Sequence, residues 1–174
     1  VRKVAIVGFA GTRDQAPIED VSVEFWGLNE LYGAFADRCV KAKRPPFDRW
    51  FELHDMQTIT ESREDQAHLA WLREQPAGRP IYMQATYADI PASVAYPLAR
   101  MERIFGRYFT SSIGYMLALA IAEGRDESLQ IVDPDAAYGW IGIYGIDLAS
   151  DSEYGDQRPN AEYFIGLAKG LGIA

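Results

Sequence analysis

The chain has 174 residues, 48% of them hydrophobic and 13% aromatic, which is ample material for one folded core. A formal net charge of -8 and a pI of about 4.8 exclude a general affinity for DNA, RNA or anionic membrane, because no excess of Lys and Arg exists to displace counterions. The one cysteine, Cys39, leaves no partner for an internal disulfide and fits a reducing compartment.

In chain order, "KVAIVGF" is a continuous apolar run ending in Gly, as expected of a buried parallel strand. "SVEFWGLNELYG" reads as a second strand that turns into a short helix near Asn29. A third strand is expected around Trp50–Leu53, after a Pro-Pro pair that bars helix. "TESREDQAHLAWLREQ" predicts a helix capped by Thr60 and supported by Glu64, with His68 on a solvated face. "GRPIYMQATYADIP" gives a fourth strand, and "SVAYPLARMERIFGRYF" a helix with a possible interruption. "TSSIGYMLALAIAEG" is a strongly apolar helix capped by Ser111 or Ser112 and closed by Gly124. A loop follows, with a short strand expected at Leu129–Val132. "GWIGIYGIDLASD" is another buried strand, and Asn160 is a candidate cap for a last helix ending at Gly170 or Gly172.

Strands that alternate with helices and read as buried on both faces predict an α/β fold. The expectation is a single Rossmann-like domain over residues 1–174, a three-layer sandwich with a mostly parallel central sheet. No apolar run reaches the ~18 residues of a membrane span. "VAIVGFAG" is too short for a signal peptide, so a cytoplasmic protein with no membrane association is expected.

Open parallel sheets bind ligands beyond the carboxyl ends of their strands, so the residues following each strand are the candidates. The first strand is followed by Gly8, Gly11, Thr12 and Arg13, a turn whose amides either meet an anion or only reverse the chain. "GFAGT" lacks the middle glycine of a dinucleotide fingerprint, and no Walker GK[ST] is present. Asn29 follows the second strand, His54 and Asp55 the third, and Gln84, Thr86 and Tyr87 the fourth. His54 is either a general base or a structural histidine, and neighbouring Asp55 faces the other way along an extended chain. Ser111 and Ser112 either cap their helix or present its first amides to a phosphate. Asp147 ends an apolar strand, where an acid serves as base, sugar ligand or turn residue. Tyr154 and Arg158 lie beyond it, suited to an anionic ligand with an aromatic ring or to a charged surface loop. With two histidines and one cysteine, no structural zinc site is expected, and Cys39 reads as incidental.

Three stretches together carry a resemblance. "WGLNELY", "SSIGYMLALAIAEG" and "IYGIDLASDSEY" resemble segments of bacterial sialyltransferases that use CMP-sialic acid, and the order of elements is also similar to MptE-like pterin diphosphokinases and to phage-borne proteins of this type. The resemblance implies a CMP-like pocket at Gly8, Asn29, Ser112, Asp147 and Tyr154. Two departures stand out. The opening turn lacks the family's Asn, and no His follows His68, so the family's catalytic His after Gly-Ile-Asp is missing. Shared nucleotide binding is therefore expected more than shared sialyl transfer. The expected ligand is a nucleotide or nucleotide-sugar, with Mg²⁺ as a possible companion. The expected activity is a transferase with His54, Asp55 and Asp147 as its catalytic groups. The alternatives are a protein that only sequesters a nucleotide, or a homo-oligomeric interaction domain with a vestigial pocket.

Overall fold

A computed structural model describes residues 1–61, 66–146 and 157–174. Its sheet contains β1 (Arg2–Val7), β2 (Val23–Leu28), β3 (Arg49–Phe51), β4 (Ile81–Met83), β5 (Ser93–Ala95) and β6 (Tyr138–Tyr144) in the order β5-β4-β3-β2-β1-β6. Every neighbouring pair is parallel, which bears out the α/β, Rossmann-like reading. The inner strand β1, between β2 and β6, buries Val4, Ala5, Ile6 and Val7, hence its unbroken apolar run.

Helices α1 (Ala36–Lys41), α2 (Met56–Glu61) and α3 (Gln66–Glu74) lie in connections that step one way across the sheet, from β2 to β3 to β4. After β5, the chain runs through α4 (Leu98–Phe105) and α5 (Ser112–Ala122), then returns across the sheet to place β6 beside β1. Right-handed crossovers put these two sets of helices on opposite faces. α5 packs on β1 and β6 and against α6 (Gln157–Gly170). It is buried over most of its length, with Met116, Ala118, Ala120, Ile121 and Ala122 fully enclosed.

Several local expectations are corrected. Thr60 does not start a helix but sits inside α2, its hydroxyl donating to the Met56 carbonyl at 2.8 Å. The capping bond comes from Asp55, whose Oδ1 accepts from Thr58 N at 2.7 Å. Glu64 lies outside the described residues. Ser93–Ala95 is a strand, not helix: Pro97 disfavours helical backbone at Tyr96, so α4 begins only at Leu98. Leu129–Val132 forms no strand, only an isolated bridge between Arg125 and Ile131. Asn160 is buried within α6 and caps nothing; its amide donates to the Tyr108 carbonyl.

At the amino edge of the sheet, Glu24 accepts from the Arg2 guanidinium, from the Tyr138 hydroxyl at 2.6 Å and from Trp26 Nε1 at 3.2 Å. Arg49 donates to Glu123 at 2.8 Å, and Arg2 and Arg49 lie over the rings of Tyr138 and Trp26. Two arginines and two glutamates balance there, far from the strands' carboxyl ends. On the outer edge of β6, Ile141 N donates to the Ala174 carbonyl and Ala174 N to the Gly139 carbonyl. No helix among the described residues is long and apolar enough to cross a membrane.

Candidate functional site

The chain leaves β1 toward one face of the sheet and enters α6 on the other, so the carboxyl ends of β1 and β6 form a topological switch point. A cleft of about 670 Å³ opens there. Gly8, Phe9 and Ala10 line it from β1, Leu28 and Asn29 from β2, His54 from beyond β3, and Gly145 and Ile146 from beyond β6. The start of α5, Thr110 to Ile113, and Gln157 of α6 complete the wall.

The opening turn is held by backbone. Gly8 N donates to Tyr144 O and Ala10 N to Gly145 O, both at 2.8 Å, and Gly145 N donates to the Thr12 hydroxyl at 2.9 Å. Gly11 and Thr12 lie in a 3-10 turn, Gly11–Gln15, that is not part of the cleft wall. Two of the turn's amides are thus committed to β6. Further donors for an anion are the leading amides of α5, which have no intrahelical partner. Ser111 caps this helix as expected, accepting from Gly114 N at 3.3 Å. Gly114 makes room for another helix, because a Cβ there would collide with the Asn160 side-chain oxygen.

Asn29 has a left-handed backbone, φ 50°, a conformation that Asn tolerates better than most residues. Its carbonyl accepts from Trp50 Nε1 at 2.9 Å. Its side-chain oxygen is buried without a hydrogen-bond partner among the described residues.

His54 belongs to a cluster that the sequence reading missed. Its Nδ1 lies 2.7 Å from Glu52 Oε1, and its backbone N donates to the same oxygen at 3.1 Å. Glu52 Oε2 lies 2.6 Å from His68 Nε2. Glu52 is 1% exposed and His68 2%, so the expected solvated position of His68 is corrected. The helical spacing of His68 with Trp71 and Leu72 was the available signal: α3 turns His68 and Leu72 into the core and stacks His68 with Trp71 and Tyr32. For Glu52, the signal was an acid within the apolar run "WFEL". Burial pushes the Glu52 carboxyl up, but hydrogen bonds from His54 and His68 outweigh it and hold the group down at about 2.

The other candidates lie elsewhere. Asp55 gives both carboxylate oxygens to Thr58 and is not part of the wall. Arg158 pairs with Glu162 at 2.8 Å and lines a smaller hollow that adjoins the cleft through Ile113 and Ile146. Gln84 donates to the Leu53 carbonyl, and Tyr87 N to Ser93 Oγ. Cys39 is buried beside the Pro46 carbonyl, and burial pushes its thiol up, away from reactivity. Asp147 and Tyr154 lie outside the described residues. Among the described residues, no three His, Cys, Asp or Glu side chains gather to hold a metal ion. No family model, curated protein or solved structure matches this chain.

Proposed function

We propose that the protein binds a nucleotide or nucleotide-sugar in this cleft and transfers its glycosyl or diphosphoryl group to an acceptor hydroxyl. The observation that carries the reading is the convergence of Gly8, Asn29, His54 and the start of α5 on one cleft at the switch point of a parallel sheet. The leading amides of α5 and the Ser112 hydroxyl meet the phosphates, and Asn29, on the cleft wall, offers its side-chain amide to ribose or base.

His54 takes the acceptor's hydroxyl proton on Nε2 as the acceptor oxygen forms its new bond. The bond to the leaving phosphate oxygen breaks with its electron pair staying on that oxygen, stabilised by the α5 amides. The shared requirement of glycosyl and diphosphoryl transfer is this one proton acceptor. Incubation with a panel of nucleotide-sugars and nucleoside triphosphates, with and without Mg²⁺, tests the reading by thermal shift and by mass spectrometry of products. A ligand at a hundred times its Kd stabilises the fold by about 2.7 kcal/mol. A shift without turnover assigns a sequestering protein, and neither shift nor turnover rejects nucleotide binding.

A further inference from the structure

The chain has two histidines, and both ring systems meet the same carboxylate. They arrive from different elements, His54 from the loop after β3 and His68 from α3. Burying a carboxylate at 1% exposure is costly unless its oxygens are satisfied, and here each oxygen takes one imidazole nitrogen. His68 is itself fixed: its ring lies nearly parallel to Tyr32 and Trp71, at interplanar angles of 4° and 11°. Its Nδ1 is buried without a hydrogen-bond partner among the described residues. A lone pair is tolerated there better than an orphaned N–H, which puts the His68 proton on Nε2, donated to Glu52.

We infer that Glu52 and His68 are positioning residues that hold His54 as its Nδ1–H tautomer in the cleft. Glu52 takes two bonds from residue 54, from the ring and from the backbone, and so sets both the angle of the imidazole and the nitrogen that carries its proton. The lone pair then lies on Nε2, the nitrogen assigned as proton acceptor above. This inference rests on the transferase reading only in what it makes of His54; the tautomer itself is a property of the unliganded chain.

The test is a long-range 1H–15N spectrum of the full chain at alkaline pH, with His54→Gln to assign the two imidazoles. The expected result is His54 protonated on Nδ1 and His68 on Nε2. In Glu52→Leu, which has no acceptor at all, His54 loses its fixed tautomer and shifts toward the Nε2–H form that free histidine prefers in water. Should that variant fail to fold, His68→Gln and His68→Phe replace it. The Gln side chain keeps an N–H for Glu52 and preserves the His54 signal, whereas Phe removes the donor and mixes the tautomers. An Nε2–H His54 in the wild-type chain overturns the proposal, as does a His54 signal unmoved by both Glu52→Leu and His68→Phe. No substrate enters this measurement. The expected tautomers without turnover on the nucleotide panel reject the transferase reading alone, and turnover with the wrong tautomer rejects the positioning role alone.

Discussion

Gly8 and Gly145 meet backbone to backbone across the seam of β1 and β6. A Cβ on Gly8 would lie 2.6 Å from the Gly145 carbonyl oxygen, and one on Gly145 would strike the Gly8 carbonyl and the Arg13 side chain. Gly145 also has φ +66°, a conformation that costs an L side chain roughly 1–2 kcal/mol. Gly145→Ala therefore costs about 2–4 kcal/mol by urea unfolding, adding overpacking to the backbone term. A loss under about 0.5 kcal/mol would show that the two loops are not locked together.

Asn29 separates binding from folding. Asn29→Gly keeps the left-handed turn and removes the amide, so stability changes by less than about 1 kcal/mol. Affinity for the nucleotide found by the panel falls about tenfold or more, as expected when one buried hydrogen bond worth about 1.4 kcal/mol is lost. Calorimetric titration reads the difference, and unchanged affinity removes Asn29 from the site.

Glu52 gives the fold a pH signature. Its carboxyl is held at about 2 in the folded protein, against an ordinary 4.5. The stability it contributes is present above the ordinary value and is lost as pH falls through that window toward 2, a total on the order of 3 kcal/mol. Urea unfolding of the wild type against Glu52→Gln from neutral to acid pH isolates this share. The gap between them narrows across that window; a constant gap refutes the assignment.

The Arg2–Glu24–Arg49–Glu123 cluster sits at the opposite edge of the sheet from the cleft. Glu24→Gln leaves Arg2 without its carboxylate and costs about 1–3 kcal/mol, a value tempered by the partial exposure of both side chains. Ligand affinity measured at a temperature where the variant is fully folded stays within about twofold, and a larger change would contradict the separation of the two edges.

The sheet was legible because β1 and β2 are inner strands buried on both faces over Val4–Val7 and Phe25–Leu28, which writes the apolar runs VAIV and FWGL into the sequence. β5 was not, because three residues before a proline carry too little period to separate strand from helix start. Gly8, Asn29, Ser111 and Ser112 were legible as a set since strand ends must converge in a parallel sheet, and all four line the cleft. Glu52 and His68 stayed hidden because their meaning is a contact between β3's end and α3, sixteen residues apart, while each alone looks like a misplaced polar group. Asp55 invites a catalytic reading by lying beside His54, yet its carboxylate accepts from the Thr58 amide and hydroxyl and it is not among the cleft-lining residues.

The pairing of Ala174 with Gly139 and Ile141 has a consequence for assembly. That stretch of β6 already hydrogen-bonds to its own chain, and the opposite margin, β5, is three residues long. A second copy seeking to continue the sheet would find one border occupied and the other too brief to hold a ladder. A copy or peptide that extends the sheet along Gly139–Ile141 would therefore have to displace Ala174 first.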